Sequence, residues 1–296
     1  GERYYSLTQY LKHTYGEKLY QVSLDAGMTC PNRDGTLGSR GCIFCSAGGS
    51  GDFAADRKLS ITAQIEQGKA QAAGKYSGSS YIAYFQAYTN TYAPVSRLRE
   101  IFSEAIRRPD IRILDIATRP DCLGADVLAL LDDLNQIKPV WVELGLQTIH
   151  PDTAAFIRRG YGLSVFEEAV RHLRMRGIFV VVHTILGLPG ESMDQQLATV
   201  RYLNTLDIQG VKFQLLHILK HTDLAAYYEE HPFHLPNMEE YFEMLGKCLC
   251  VLRRDIVVHR LTGDGPKPLL IAPLWTGNKR HVLNRLRAYL KEQDIW

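Results

Sequence analysis

The sequence predicts an α/β fold: a partial (β/α)6 barrel carrying a C-terminal α+β extension. Three observations point there. Strand-like and helical segments alternate from about residue 76 to 219. The strand segments are near-continuous apolar runs, as a parallel sheet covered on both faces requires. A loop holding three cysteines directly follows the first strand, on the face where such barrels carry their functional residues.

Taken in order, Tyr20–Leu24 is the first strand and Thr62–Lys75 the helix after the cysteine loop. Ser80–Gln86 is the second strand, and Pro94 introduces a helix over Val95–Arg107. Ile111–Thr118 is followed by an Ala/Leu-rich helix, Ala125–Leu134. Val140–Gln147 leads to helices near Asp152–Arg158 and Val165–Arg176. Ile178–Leu186, a helix over Met193–Leu206 and the strand Val211–Leu219 complete six βα units. From about Phe233, a helix and a β-rich tail at Ile256–Leu261 extend the barrel, and the helix Lys279–Lys291 closes the chain. The division expected is a barrel over residues 1–232 and an extension over 233–296 packed on it. Beyond the βα rhythm there is no internal repeat, low-complexity segment or long linker.

Composition narrows the class. Hydrophobic residues make 46% and charged residues 22% of the 296, an ordinary globular balance. No run of 18 apolar residues suggests a membrane helix, and the first residues do not read as a secretory signal. Six cysteines, three of them clustered, fit a reducing compartment better than a disulfide framework, so a cytoplasmic protein is expected. A net charge of +2 gives no global signature for nucleic acid. Residues 251–296, however, hold nine Lys/Arg against four Asp/Glu, a surplus of five. That surplus reads either as a solvated amphipathic helix or as a surface facing a polyanion.

Cys30, Cys42 and Cys45 form a C-x11-C-x2-C pattern in a loop rich in Gly, Asn and Asp. A closed zinc site takes four ligands, and a cysteine-held iron–sulfur cluster normally takes four as well. Three thiolates with no fourth Cys or His nearby suggest a metal centre with an open position, where a substrate or cofactor binds. A structural zinc or a simple redox pair is the alternative. Cys248 and Cys250 alternate in an apolar stretch and read as core.

With these motifs the chain resembles the radical S-adenosylmethionine (SAM) superfamily, whose members hold a [4Fe–4S] cluster by three cysteines after the first barrel strand. SAM chelates the remaining iron. Most members use a first gap of three residues, where this chain has 11. The resemblance spans essentially the whole chain and is closest to the Elongator-catalytic-subunit-like branch, of the bacterial MnmL/YtqA/YhcC type. It is carried by Tyr84–Pro94, Ala117–Leu123, Glu143–Thr148, His183–Glu191 and His259–Lys267.

The resemblance implies a SAM pocket at the strand ends. Strand periodicity puts Glu143, Gly145 and Gln147 on one face. In related enzymes the Gln of this motif contacts SAM, and an Arg twelve residues on pairs with its carboxylate; here these are Gln147 and Arg159. His183 occupies a position often used for the ribose, or is a satisfied core histidine. Relatives hold the SAM amino group with Gly-Gly-Glu after the second strand. This chain has Gln86 and Asn90, which share a face there and offer side-chain or backbone carbonyls instead. Asp115 lies deeper and reads equally as a buried barrel carboxylate. Candidates near the substrate are Tyr88, Tyr92, Arg119, His217, Lys220 and Asp264. Cys122, on the same rim, is either a radical hydrogen donor or a structural thiol.

The implied chemistry is one-electron reduction of the cluster by flavodoxin or ferredoxin and cleavage of SAM to methionine and a 5′-deoxyadenosyl radical. That radical takes a hydrogen atom from a substrate carbon. For this branch the implied substrate is tRNA, in a transferase- or lyase-like conversion of carboxymethylaminomethyl to aminomethyl at the wobble uridine. A small metabolite or a protein side chain is the alternative substrate.

Overall fold

A computed structural model describes residues 4–45, 55–86, 88–263 and 265–295. The strands β1 (Tyr20–Leu24), β2 (Tyr81–Phe85), β3 (Ile111–Thr118), β4 (Val140–Gln147), β5 (Phe179–Leu186) and β6 (Gly210–Leu215) pair in parallel in chain order. A short β7 (Ile218–Leu219) follows, and β8 (Val257–Arg260) then joins β6 as the seventh strand of the sheet. The sheet is a curled half-barrel with β1 and β8 at its edges. The β-rich tail thus extends the barrel wall itself. β9 (Leu270–Ala272) pairs antiparallel with β7 as a separate ribbon just past the C-terminal end of β6.

The helices are α1 (Leu7–Tyr15), α2 (Ile61–Ala72), α3 (Val95–Ile106), α4 (Ala125–Asn135), α5 (Pro151–Phe156), α6 (Leu163–Met175), α7 (Met193–Leu203), α8 (Asp223–Glu230), α9 (Met238–Val251) and α10 (Lys279–Glu292). Several begin where sequence chemistry says they should. Ser6 with Gln9, Ser192 with Gln195 and Asn237 with Glu240 form reciprocal capping boxes. The outer helices bury their apolar stripes on the sheet in one core that includes Phe85, Phe102, Phe166 and Phe213.

The concave side is tiered. At its lower end Ile82, Ile113 and Trp141 meet Leu11 of α1 and Leu19, so α1 plugs the bottom of the half-barrel. One inward step along each strand lie Tyr84, Asp115 and Glu143, and above them the strand ends form the mouth.

Three expectations change. The strand expected over Val211–Leu219 breaks after Leu215, and its last residues leave the sheet for the β7–β9 ribbon. α1 and α8 form where no helix was expected; α8 starts at Thr222, whose side chain accepts from Ala225 N at 3.1 Å. Cys248 is buried but Cys250 is exposed. On the helix α9 two positions differ by about 200°, so the two thiols cannot share the core.

Gly68 sets how closely α2 lies on β1 and hence on the start of the cysteine loop. A Cβ there would stand 2.4 Å from Val22 Cγ1. Gly68→Ala is therefore expected to destabilise the protein by about 1–3 kcal/mol, although Ala gains about 1 kcal/mol over Gly in an open helix. Chemical denaturation of the two proteins checks the sign.

Candidate active site

The cysteine loop is built from its backbone outward. Asp25, just past β1, is bracketed by the wholly buried Gln64 of α2, which accepts from Asp25 N and donates to Asp25 O, both at 2.8 Å. Cys30 O accepts from the amides of Arg33 and Asp34 at 2.8 and 3.0 Å, turning the chain. Asn32 is buried, accepts from Gly41 N at 2.8 Å and donates its side-chain amide to Arg158 O at 2.6 Å. Its Nδ2 also stands 3.7 Å from Cys42 Sγ. Ile43 then bridges two elements, donating to Ile157 O at 3.2 Å and accepting from Leu224 N at 2.8 Å. Asp223 seals that junction by pairing with Arg40 of the loop and Arg158, each at 2.8 Å.

This arrangement accounts for the 11-residue gap. Residues 31–41 reach Arg158 on one side and Tyr92 on the other, whose hydroxyl donates to Asp34 Oδ2 at 2.6 Å and lies 3.0 Å from Thr36 Oγ1.

Cys42 and Cys45 share a hydrogen bond. That bond, helped by the Arg33 guanidinium, holds Cys45 down at about 6 against its burial. The same bond, with burial and the charges of Cys45 and Cys30, pushes Cys42 well up. All three thiols are free of disulfides, half-buried and electrostatic neighbours. Such a set of thiol donors, with Cys45 biased toward the thiolate, suits an iron–sulfur cluster. Among the described residues no three His, Cys, Asp or Glu side chains converge closely enough for a single metal ion.

Beneath the mouth lies a buried polar belt, one group per strand. Glu143 is 1% exposed, and its Oε1 accepts from Lys212 Nζ at 2.7 Å, His183 Nε2 at 2.5 Å and Tyr84 Oη at 3.2 Å. Lys212 Nζ also reaches Tyr84 Oη at 3.2 Å and stands 4.5 Å from the ring centre. Burial alone would raise the Glu143 carboxyl, but the Lys212 ammonium and its hydrogen bonds hold it well below the usual range. Burial and the Glu143 charge drive Asp115 the other way, well above it. A protonated Asp115 supplies the donor that Glu143 Oε2 otherwise lacks. Burial lowers His183, and it pushes His259, edge-on to Trp141 at 5.4 Å, down to about 3. Glu143 and Lys212 are thus the ionised pair, among neutral partners.

The structure redistributes the expected site residues. Glu143 lies below the mouth, sealed by Lys212 and His183, so the expected cofactor contact gives way to a structural one. Asn90 is wholly buried; its amide donates to Phe85 O and Ala117 O, both at 3.0 Å, clipping the end of β2 to β3. It does not face the mouth. Gln86, just past β2, is buried beside Leu24 O. Gln147 does not simply continue the strand alternation: the register shifts between Gly145 and Gln147, and Gln147 takes φ +65°. The turn folds its amide over Gly145, where a Cβ would stand 2.8 Å from Gln147 Nε2 and 3.1 Å from Tyr161 Oη. Arg159 is buried, giving Nη1 to Leu146 O and Thr148 O at 2.8 and 2.6 Å and Nε to Tyr161 O at 3.0 Å. Of the belt residues, His183 keeps partial exposure, with a side chain 20% accessible.

Arg119 forms a two-pronged pair with Asp121, both bonds 2.9 Å, and sits over the Tyr161 ring at 5.0 Å. Tyr88 lies between the Arg33 and Arg57 guanidiniums at 5.6 and 5.2 Å. His217 gives Nδ1 to Leu215 O at 2.6 Å and packs against Gly263 and Gly265. Lys220 is exposed on the β7–β9 ribbon, away from the belt. Asp264 lies outside the described residues. Cys122 lines an open cavity of about 620 Å³ with Pro31, Leu37, Tyr92 and Asp121; burial pushes its thiol up to about 12. That cavity flanks the cysteine loop and contains none of the belt residues.

Sequence reasoning missed Lys212, the cation that makes the belt possible. Its signal was a lone Lys in the apolar strand Val211-Lys-Phe.

The chain was compared with known proteins. The family model described as Radical SAM superfamily matches residues 35–203, and Radical_SAM C-terminal domain matches 208–292. The chain is 42% identical to the uncharacterized protein YtqA of Bacillus subtilis over 295 residues, all of this chain and 92% of that one. It is 35% identical to protein YhcC of Escherichia coli K12 over 286 residues, 96% and 91% of the two. A tRNA uridine(34) acetyltransferase of Methanocaldococcus jannaschii is more distant, 24% identical over 62% of this chain and 33% of its own length. Among solved structures, Methanocaldococcus infernus Elp3 shares the fold, with TM-score 0.70 and 15% identity over 94% of this chain and 64% of that one. No helix among the described residues is long and apolar enough to cross a membrane.

Removing Lys212 leaves the Glu143 charge buried without its partner. Lys212→Met is expected to cost about 3–5 kcal/mol in denaturant unfolding, and adding Glu143→Gln to recover much of it. Equal loss in the single and double variants would rule out the ion pair as the cause.

Proposed function

The chain belongs to the radical SAM superfamily, and from that premise we propose that it modifies the wobble uridine of tRNA, converting carboxymethylaminomethyl-uridine to aminomethyl-uridine. It is a radical SAM enzyme whose cofactors are a [4Fe–4S] cluster and SAM. Together these supply reductive radical chemistry that removes a hydrogen atom from an unactivated carbon. Cys30, Cys42 and Cys45 are the thiolates that would hold the cluster. Gln86, Gln147, Arg159 and His183 are the groups at the mouth that would bind SAM.

The observation that carries the reading is the Glu143–His183 contact at 2.5 Å. Glu143 is ionised by Lys212, so His183 carries its proton on Nε2 and keeps Nδ1 as an acceptor. His183, with its side chain partly exposed, therefore offers one acceptor above the buried Glu143–Lys212 pair. It can accept a hydrogen bond from a hydroxyl there while staying neutral. The distant tRNA uridine(34) acetyltransferase likeness supports wobble uridine as the substrate class, as does the basic C-terminal segment. A flavodoxin or ferredoxin is the electron donor this chemistry calls for.

Deleting the gene is expected to leave carboxymethylaminomethyl-type nucleosides in place of aminomethyl-type ones, read by mass spectrometry of digested tRNA. An unchanged nucleoside profile would sink the tRNA reading. Cys42→Ala, prepared anaerobically, is expected to lose essentially all iron and sulfide while keeping the wild-type circular dichroism. Retention of roughly four irons per chain would remove Cys42 from the ligand set.

A further inference from the structure

Four guanidiniums of the Arg-Arg pairs that stand out in the sequence are already engaged. Arg108 is bonded to Asp110 and Glu66, and Arg158 to Asp223. Arg159 is spent on main-chain carbonyls, and Arg253 on Asp255 and the carbonyls of Asn204 and Leu206. On other helices several cations have carboxylate partners, as in Arg99–Asp133, Arg174–Asp207 and Lys247–Glu243.

Lys12, Arg97 and Arg201 are exposed single cations without such a partner among the described residues, and α10 carries four. Its apolar side, Val282, Leu286 and Leu290, is buried, and Phe242 of α9 meets its Tyr289 at 5.7 Å. Arg280, Arg285, Arg287 and Lys291 are exposed, and none has a carboxylate within 4 Å among the described residues. At about 100° per residue, Arg280, Arg287 and Lys291 fall within about 40° of one another on the outward face. Along the axis they are about 10 and 6 Å apart. The β7–β9 ribbon, which precedes α10 in the chain, exposes Lys220 and Lys267, likewise without carboxylate partners among the described residues, and Lys220 N donates to Leu269 O at 2.7 Å. Between the two cation groups stand the exposed Ile271 and Leu274, the latter 73% accessible.

We propose that this track, from Lys220 and Lys267 at the rim to Arg280, Arg287 and Lys291 on α10, grips the phosphate backbone of the RNA substrate. It rests on the tRNA reading above and gives that reading a docking surface. The α10 cations lie in a line and the set is polycationic, as a phosphodiester chain requires, and among the described residues its cations have no carboxylate partner to displace. Ile271 and Leu274 offer apolar surface to ribose or an unstacked base. Lys220 thereby becomes a binding residue.

The test measures affinity for a tRNA transcript against salt concentration, for wild type and for Arg280→Gln/Arg287→Gln/Lys291→Gln. The wild type should lose affinity steeply with salt. The triple variant should bind at least tenfold more weakly near 0.1 M salt, and the slope of log affinity on log salt should fall by about 2. Reductive SAM cleavage in the absence of RNA should stay at the wild-type level, which shows that the variant folds and loads. A steep wild-type slope that the variant retains overturns the track and leaves the tRNA reading standing. Wild-type binding with no salt dependence overturns both.

Discussion

An ammonium and a carboxylate 2.7 Å apart inside a parallel sheet stay charged because each is the other's main solvent. Glu143 and Lys212 sit on β4 and β6, with β5 between them, so the pair spans the middle of the curved wall. Tyr84 reaches in from β2, Asp115 from β3 and His183 from β5. Five strands are thereby held to one electrostatic centre. The mouth residues above inherit their positions from it: His183 through its bond to Glu143, and Gly145 as the next inward position on the same strand.

The cysteine loop depends on contacts of another kind. It is not stiffened by secondary structure but moored at several points: Asp25 on α2, Asn32 on Arg158 O, Asp34 on Tyr92, and Ile43 between Ile157 and Leu224. Those moorings come from β1, β2, β4 and β6 connections alike. A long first gap is the geometric condition for touching all of them, and Asn32 is its keystone, joining the loop's own turn to the thiol it presents.

Much of this was legible in the sequence, for physical reasons that can be named. Strands buried on both faces leave continuous apolar runs, so β1 to β5 and the cysteine loop could be placed from residue patterns alone. Asp115 as a buried carboxylate was open from its place in such a run. What escaped detection depended on neighbours distant in sequence. Lys212 looked like an ordinary lysine until Glu143 stood beside it. Asn90 read as a rim amide, because nothing local says that Phe85 O and Ala117 O would claim it. The left-handed turn at Gln147 is set by the register of β5 against β4, and the loss of Ile218–Leu219 from the sheet by the later arrival of β9.

Order of synthesis gives the loop's moorings a temporal meaning. The three cysteines are synthesised before the segments that hold their loop: Ile43 is clasped by Ile157 and Leu224, and Arg40 by Asp223. Until some 180 further residues have been made, the thiols have no fixed mutual geometry, and the interior still lacks the wall that β8 supplies. A chain that stops short of those segments lacks the moorings that bring the three thiols together. Oxidants have the intervening interval in which to join the wrong sulfurs.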